Sequence, residues 1–133
     1  MKTRRIRQSV TLKASPHVVY EMLMDSRKHS KFTEAKARIS RKIGGKFTAM
    51  DGYIEGVNID LEPDIKIVQS WRGSDWPAGH YSKATFSLKK VKGGTRLFFA
   101  QSGVPGEHCA DISQGWRNFY WTPLKKVLEE YSR

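Results

Sequence analysis

Side chains able to do acid–base work are few in this 133-residue chain, and they are dispersed. His80 follows Asp75 closely, and a carboxylate beside an imidazole holds a histidine in the tautomer that a general base needs. Glu55 shares a strand face with Tyr53 and Val57, where burial would raise its carboxyl pKa toward the range useful for proton transfer. Nucleophilic catalysis also requires a nucleophile within hydrogen-bond reach of such a base, and neither group comes with a nucleophile motif. A backbone hydrogen bond for His80 and a rim position for Glu55 explain them as well. No catalytic residue is therefore assigned, and the chain reads as a non-enzyme. His17, His29, His80, His108 and Cys109 lack the pair spacing of zinc ligands. Gly44-Gly45 and Gly93-Gly94 read as turns, not as phosphate-cradling loops. No metal and no cofactor is expected.

Binding is the chemistry that remains. Tyr53, Val57, Ile59, Trp71, Tyr81, Phe86, Phe99, Trp116, Phe119 and Tyr120 fall on segments whose apolar faces would converge between a sheet and a helix. They could line a pocket for a small apolar or amphipathic ligand, with Tyr and Trp polar atoms orienting the guest. Core packing explains most of these rings taken singly. Trp76 differs, because it sits in a loop between Asp75 and Pro77. There it can cap one end of a cavity, anchor a partner or pack beneath its own loop.

Charge suggests a second kind of partner. The chain carries 24 Lys and Arg against 13 Asp and Glu, a net charge of +11. Residues 1–50 hold 13 basic and 3 acidic side chains, so nearly all the excess lies there. Arg5, Arg7, Lys36 and Arg38 are the candidate contacts for an acidic protein surface; a solvated, solubilising face is the alternative. Nucleic acid is disfavoured, because no aromatic residues interleave with the charge. The single cysteine, Cys109, permits no intrachain disulfide and suits a reducing compartment. No apolar run follows the charged N-terminus, and none approaches the ~18 residues of a membrane span. The expected location is cytoplasmic.

These residues need elements to position them. Ile6, Gln8, Val10 and Leu12 alternate with Arg5, Arg7, Ser9 and Thr11, which predicts a strand with one wet, basic face. Ser15-Pro16 and Asp25-Ser26 are start signals for two short helices. Strands are predicted over 35–40, 47–50, 53–61, 65–72, 80–90 and 97–100, with turns at Gly44-Gly45, Asp51-Gly52, Glu62-Pro63-Asp64 and Gly93-Gly94. Ile112, Trp116, Phe119, Tyr120, Val127, Leu128 and Tyr131 recur at helical steps, and Pro123 should kink that helix. The order implies one α+β domain over residues 1–133. It consists of a curved antiparallel sheet of about six or seven strands, two short helices after strand 1, and a long kinked C-terminal helix gripped by the sheet.

The segments Asn58–Pro63, Ile67–Arg72 and Asp75-Trp76-Pro77-Ala78-Gly79-His80-Tyr81-Ser82 carry a family resemblance. Gly103-Val104-Pro105, Gln114-Gly115-Trp116 and the aromatics Phe119, Tyr120 and Trp121 extend it. From about Ser15 to Leu128 the chain resembles the C-terminal domain of the activator of the 90-kDa heat-shock protein ATPase, in the START-like (SRPBCC) helix-grip superfamily. The resemblance implies a cavity between sheet and long helix. It implies chaperone activity less directly, because the co-chaperone also uses a separate N-terminal domain.

Overall fold

The computed structural model describes residues 1–131; residues 132–133 and the side chain of Tyr131 lie outside the description, so the expected role of Tyr131 in the helix stripe does too. β1 (Thr3–Leu12) leads into α1 (Pro16–Met24) and α2 (Ser26–Thr33), then β2 (Arg38–Ile39) and β3 (Lys46–Ala49). A 3-10 turn, Met50–Gly52, precedes β4 (Ile54–Glu62), β5 (Lys66–Gly73), β6 (Ser82–Val91) and β7 (Gly94–Pro105). A second 3-10 turn, Gly106–His108, opens the C-terminal helix: α3 (Cys109–Trp116), a π-helical turn Arg117–Trp121, and α4 (Thr122–Tyr131). The seven strands form one antiparallel sheet in the order β1-β7-β6-β5-β4-β3-β2, which with the long helix is the helix-grip arrangement.

Local chemistry sets the element ends. Ser15 Oγ accepts the Val18 N–H at 3.3 Å, and the Asp25 carboxylate accepts the Lys28 N–H at 2.9 Å. That backbone bond holds the Asp25 carboxyl below the usual carboxylate range. The strand expected over 35–40 shrinks to Arg38–Ile39, because its backbone is engaged elsewhere. The Lys36 N–H goes to Asp51 Oδ1 at 2.7 Å, and the Ala37 N–H goes to Ser30 Oγ at 2.9 Å. The Asp51-Gly52 signal is a wider turn than a two-residue hairpin, with positive φ at Met50, Asp51 and Gly52.

Two bulges shape the sheet. Asn58 faces Gln69 and Asp60 faces Val68, so Ile59 is an extra residue on β4. Beyond it the inward parity switches from Ile54, Gly56 and Asn58 to Leu61. Between Arg4 and Ile6 of β1, β7 spends Ser102 and Gly103 against Arg5 alone, and Gly103 takes φ +80° to do so.

In the helix, Pro123 has no N–H to donate. The expected disturbance takes the form of the preceding π-turn, in which the Thr122 N–H reaches back to the Arg117 carbonyl. Ile112, Trp116, Tyr120, Leu124 and Leu128 face the sheet, packing with Ile6, Ile67, Phe86, Leu97 and Phe99, while Val19, Leu23 and Phe32 close the layer from α1 and α2.

Gly56 on β4 has no room for a side chain, since an added Cβ would lie 1.7 Å from the Ser70 carbonyl oxygen. Backbone cannot yield as a flexible side chain would. Gly56→Ala should therefore destabilise the fold by roughly 3 kcal/mol. Urea unfolding checks this, and an unchanged midpoint would mean that the strands can part at no cost.

Candidate ligand site at the sheet–helix edge

The space between sheet and helix is filled, chiefly by the Trp116 ring. Its centroid lies 4.3 Å from Phe99, 4.7 Å from Tyr120, 5.5 Å from Trp121, 5.6 Å from Trp71 and 5.7 Å from Phe86. Its indole N–H donates to Gln101 Oε1 at 2.8 Å, Gln101 Nε2 donates to Ser82 Oγ at 2.9 Å, and Ser82 Oγ donates to the Trp71 carbonyl at 2.8 Å. Every group in this buried chain has a partner, as burial requires. On the β1 side, Trp121 Nε1 donates to Gln8 Oε1 at 2.6 Å, and Gln8 Nε2 donates to the Ser113 carbonyl at 2.9 Å. On the α2 side, His29 Nδ1 donates to the Leu23 carbonyl at 3.0 Å, which leaves Nε2 to accept the Tyr120 hydroxyl at 2.8 Å. Burial lowers the His29 pKa and raises that of Tyr120, so both stay neutral. The void left among Leu23, Phe47, Trp71 and these rings is about 20 Å³, room for roughly one water.

Where the helix diverges from β4, a cavity of about 300 Å³ opens. Met50, Tyr53, Ile54 and Trp71 form its sheet side, and Asp111, Ile112, Gly115, Trp116, Phe119 and Tyr120 form its helix side. Gly115 makes the room: apart from Phe119 Cδ2 at 3.8 Å, an added Cβ would meet nothing within 4 Å. The π-turn spreads three consecutive rings. Trp121 goes to Gln8, Tyr120 to His29, and Phe119 stays 52% exposed at the cavity mouth. Tyr53 Oη donates to Asp75 Oδ1 at 2.7 Å, and burial followed by that bond raises its pKa.

Of the ligand residues expected from sequence, Tyr53, Trp71, Trp116, Phe119 and Tyr120 line this cavity. Phe86 and Phe99 lie in the core against Trp116 and line no part of it. Trp76 packs under its loop at 4% exposure, 5.3 Å from Trp71, and its indole nitrogen has no hydrogen-bond partner among the described residues. Val57 and Ile59 do not face the helix. The Ile59 bulge splits what reads as one alternating strand, so the odd-numbered residues before it point outward, and Ile59 is 47% exposed. Tyr81 is also outside, donating to Glu55 Oε1 at 3.0 Å. Sequence reasoning passed over Met50, Ile54, Asp111, Ile112 and Gly115 as lining residues. Ile112 was visible in the helical stripe, and Ile54 follows once the bulge is placed; no signal marked the others.

The His80–Asp75 pairing does not form. His80 Nε2 donates to the Gly103 carbonyl at 2.7 Å, satisfying the β7 bulge, while Asp75 takes Tyr53 and has His108 Nδ1 at 3.9 Å. Glu55 lies 3.6 Å from Arg72 Nη1. No three His, Cys, Asp or Glu side chains among the described residues are grouped to hold a metal. Arg5, Arg7, Lys36 and Arg38 are all exposed, but β1 and β2 are opposite edges of the sheet, so the four make two separate basic edges.

A family model described as "Activator of Hsp90 ATPase homolog 1-like protein" matches residues 13–129. The human activator of 90 kDa heat shock protein ATPase homolog 1 is 32% identical over 126 residues, covering 95% of this chain and 37% of the human protein. The chain thus spans little more than a third of that relative. The crystal structure of an Hsp90 activator from Plasmodium falciparum superposes with a TM-score of 0.85 at 23% identity, covering 96% of each chain. The solution structure of the Aha1 dimer from Colwellia psychrerythraea gives 0.81 at 20% identity, covering 95% of this chain and 96% of that one. These two likenesses are of fold. Among the described residues no helix is long and apolar enough to cross a membrane.

The buried neutral His29 makes stability depend on pH. Its folded pKa lies below the unfolded value of 6.5, so below that pH the unfolded chain binds the proton first and stability is lost as pH falls. As pH falls below 6.5 the loss should steepen toward ~1.4 kcal/mol per pH unit. His29→Gln, which can keep both hydrogen bonds, should flatten that slope in urea titrations; an unchanged slope would place the titration elsewhere.

Proposed function

The chain belongs to the family of activator of Hsp90 ATPase homolog 1-like proteins, and from this we propose that it is a non-enzymatic binding domain, one unit over residues 1–133, that holds a small apolar molecule at the sheet–helix edge. The observation carrying this reading is the 300 Å³ cavity walled by Tyr53, Trp71, Trp116, Phe119 and Tyr120. It falls at the small end of the range for ligand sites. The filled interior supports a site at the edge and not one deep in the grip, and the engagement of His80 with a backbone carbonyl supports a role without catalysis. A cytoplasmic setting accords with the single cysteine.

The neutral fluorophore N-phenylnaphthylamine should bind saturably at one site. Gly115→Leu would project a side chain into the cavity while improving the local helix propensity, so it should weaken probe binding at least about tenfold without lowering Tm. Undiminished binding to a folded Gly115→Leu variant would remove this cavity from the reading.

A second reading is a co-chaperone-like regulator that meets an acidic protein surface through its basic N-terminal half. The names of the relatives and the charge of residues 1–50 support it. Because the basic residues fall on two edges, Arg5→Glu/Arg7→Glu and Lys36→Glu/Arg38→Glu are separate tests against a chaperone of the 90-kDa heat-shock class. Binding should weaken with salt, and one pair should weaken it several-fold more than the other. Association indifferent to salt and to both pairs would discard the basic-edge reading.

A further inference from the structure

The cavity has a chemical bias of its own. None of its ten lining residues is Lys or Arg, in a chain that has 24 of them. The one formal charge on its wall is the exposed Asp111 carboxylate, and Asp75 stands next to the wall through Tyr53. Five of the ten lining residues are aromatic, and an aromatic ring presents negative quadrupole density at its face.

Hydrogen-bond donors are scarce there. The Trp116 indole donates to Gln101, the Tyr120 hydroxyl to His29 and the Tyr53 hydroxyl to Asp75. Among the described residues, only the Trp71 indole remains as a lining side-chain donor without an acceptor. A carboxylate or phosphate head would meet one unspent donor, the Trp71 indole, and an opposing carboxylate at Asp111. A compact cation could be met by aromatic rings and the Asp111 carboxylate.

We infer that the cavity selects an amphipathic organic cation, an apolar body carrying a quaternary or protonated amine, whose body packs on Trp71, Trp116 and Phe119 and whose head lies toward Asp111. This rests on the cavity reading given above. The selectivity runs against the net charge of +11, which attracts anions to the surface in general. A cation preference would therefore report the local site and not the global field.

The test compares three probes of equal chain length, octyltrimethylammonium, octanol and octanoate, by calorimetry and tryptophan fluorescence on the full chain. Octyltrimethylammonium should bind about tenfold or more tighter than octanoate, with octanol between them. Asp111→Asn should cut the cation's affinity several-fold and leave that of octanol unchanged, with the circular dichroism spectrum intact. Octanoate binding as tightly as the cation, or an Asp111→Asn variant that keeps the full cation-to-octanol ratio, would overturn the inference while the apolar cavity stood. If none of the three binds, the cavity reading fails and the cation preference falls with it.

Discussion

The buried indole N–H of Trp116 fixes the molecule. An indole packed between a sheet and a helix must find an acceptor or lose about 1–3 kcal/mol, and here the acceptor is Gln101 on β7. Gln101 is held by Ser82 on β6, and Ser82 by the carbonyl of Trp71 on β5. One chain of bonds thus ties the helix to three adjacent strands. With Trp116 pinned, Phe86, Phe99, Tyr120 and Trp121 have a single ring around which to pack. Gln8 and His29 then anchor the next turn on either side, so the helix can neither roll nor slide over the sheet.

That tightness decides where anything can bind. Between sheet and helix the chain packs its own rings, leaving space for about one water inside. The room that remains lies at the edge, where Gly115 withholds a side chain and Met50 of the 3-10 turn lines the wall. A guest at this edge would rest against the Trp116 ring without disturbing its hydrogen bond, so occupation need not reorganise the core.

Most of the fold was legible because it is written in local chemistry. The caps at Ser15 and Asp25, the strand alternation and the aromatic helix stripe are each decided within a few residues. The site was half legible, for reasons of longer range. The Ile59 bulge reversed the facing of β4, and no residue type at 57–60 signals an inserted position. The π-turn moved Phe119 outward although it stands in register with a buried stripe. The basic residues share the N-terminal half of the sequence, and strand order alone sends Arg5 and Arg38 to opposite edges. In each case the missing information was a pairing between distant segments.

The first strand has one neighbour, and that neighbour is the last of the seven strands to be made: Thr3 lies opposite Pro105 and Leu12 opposite Thr95. During synthesis β1 must wait for close to a hundred residues, roughly 5–20 s at ordinary translation rates, with both of its backbone edges unsatisfied. An alternating apolar strand left open that long is a template for pairing with another nascent chain. Arg5 and Arg7, interleaved with Ile6 and Gln8, put repelling like charges on each such encounter. Whatever they contact in the finished molecule, these arginines stand where a gatekeeper charge would protect the unfinished one.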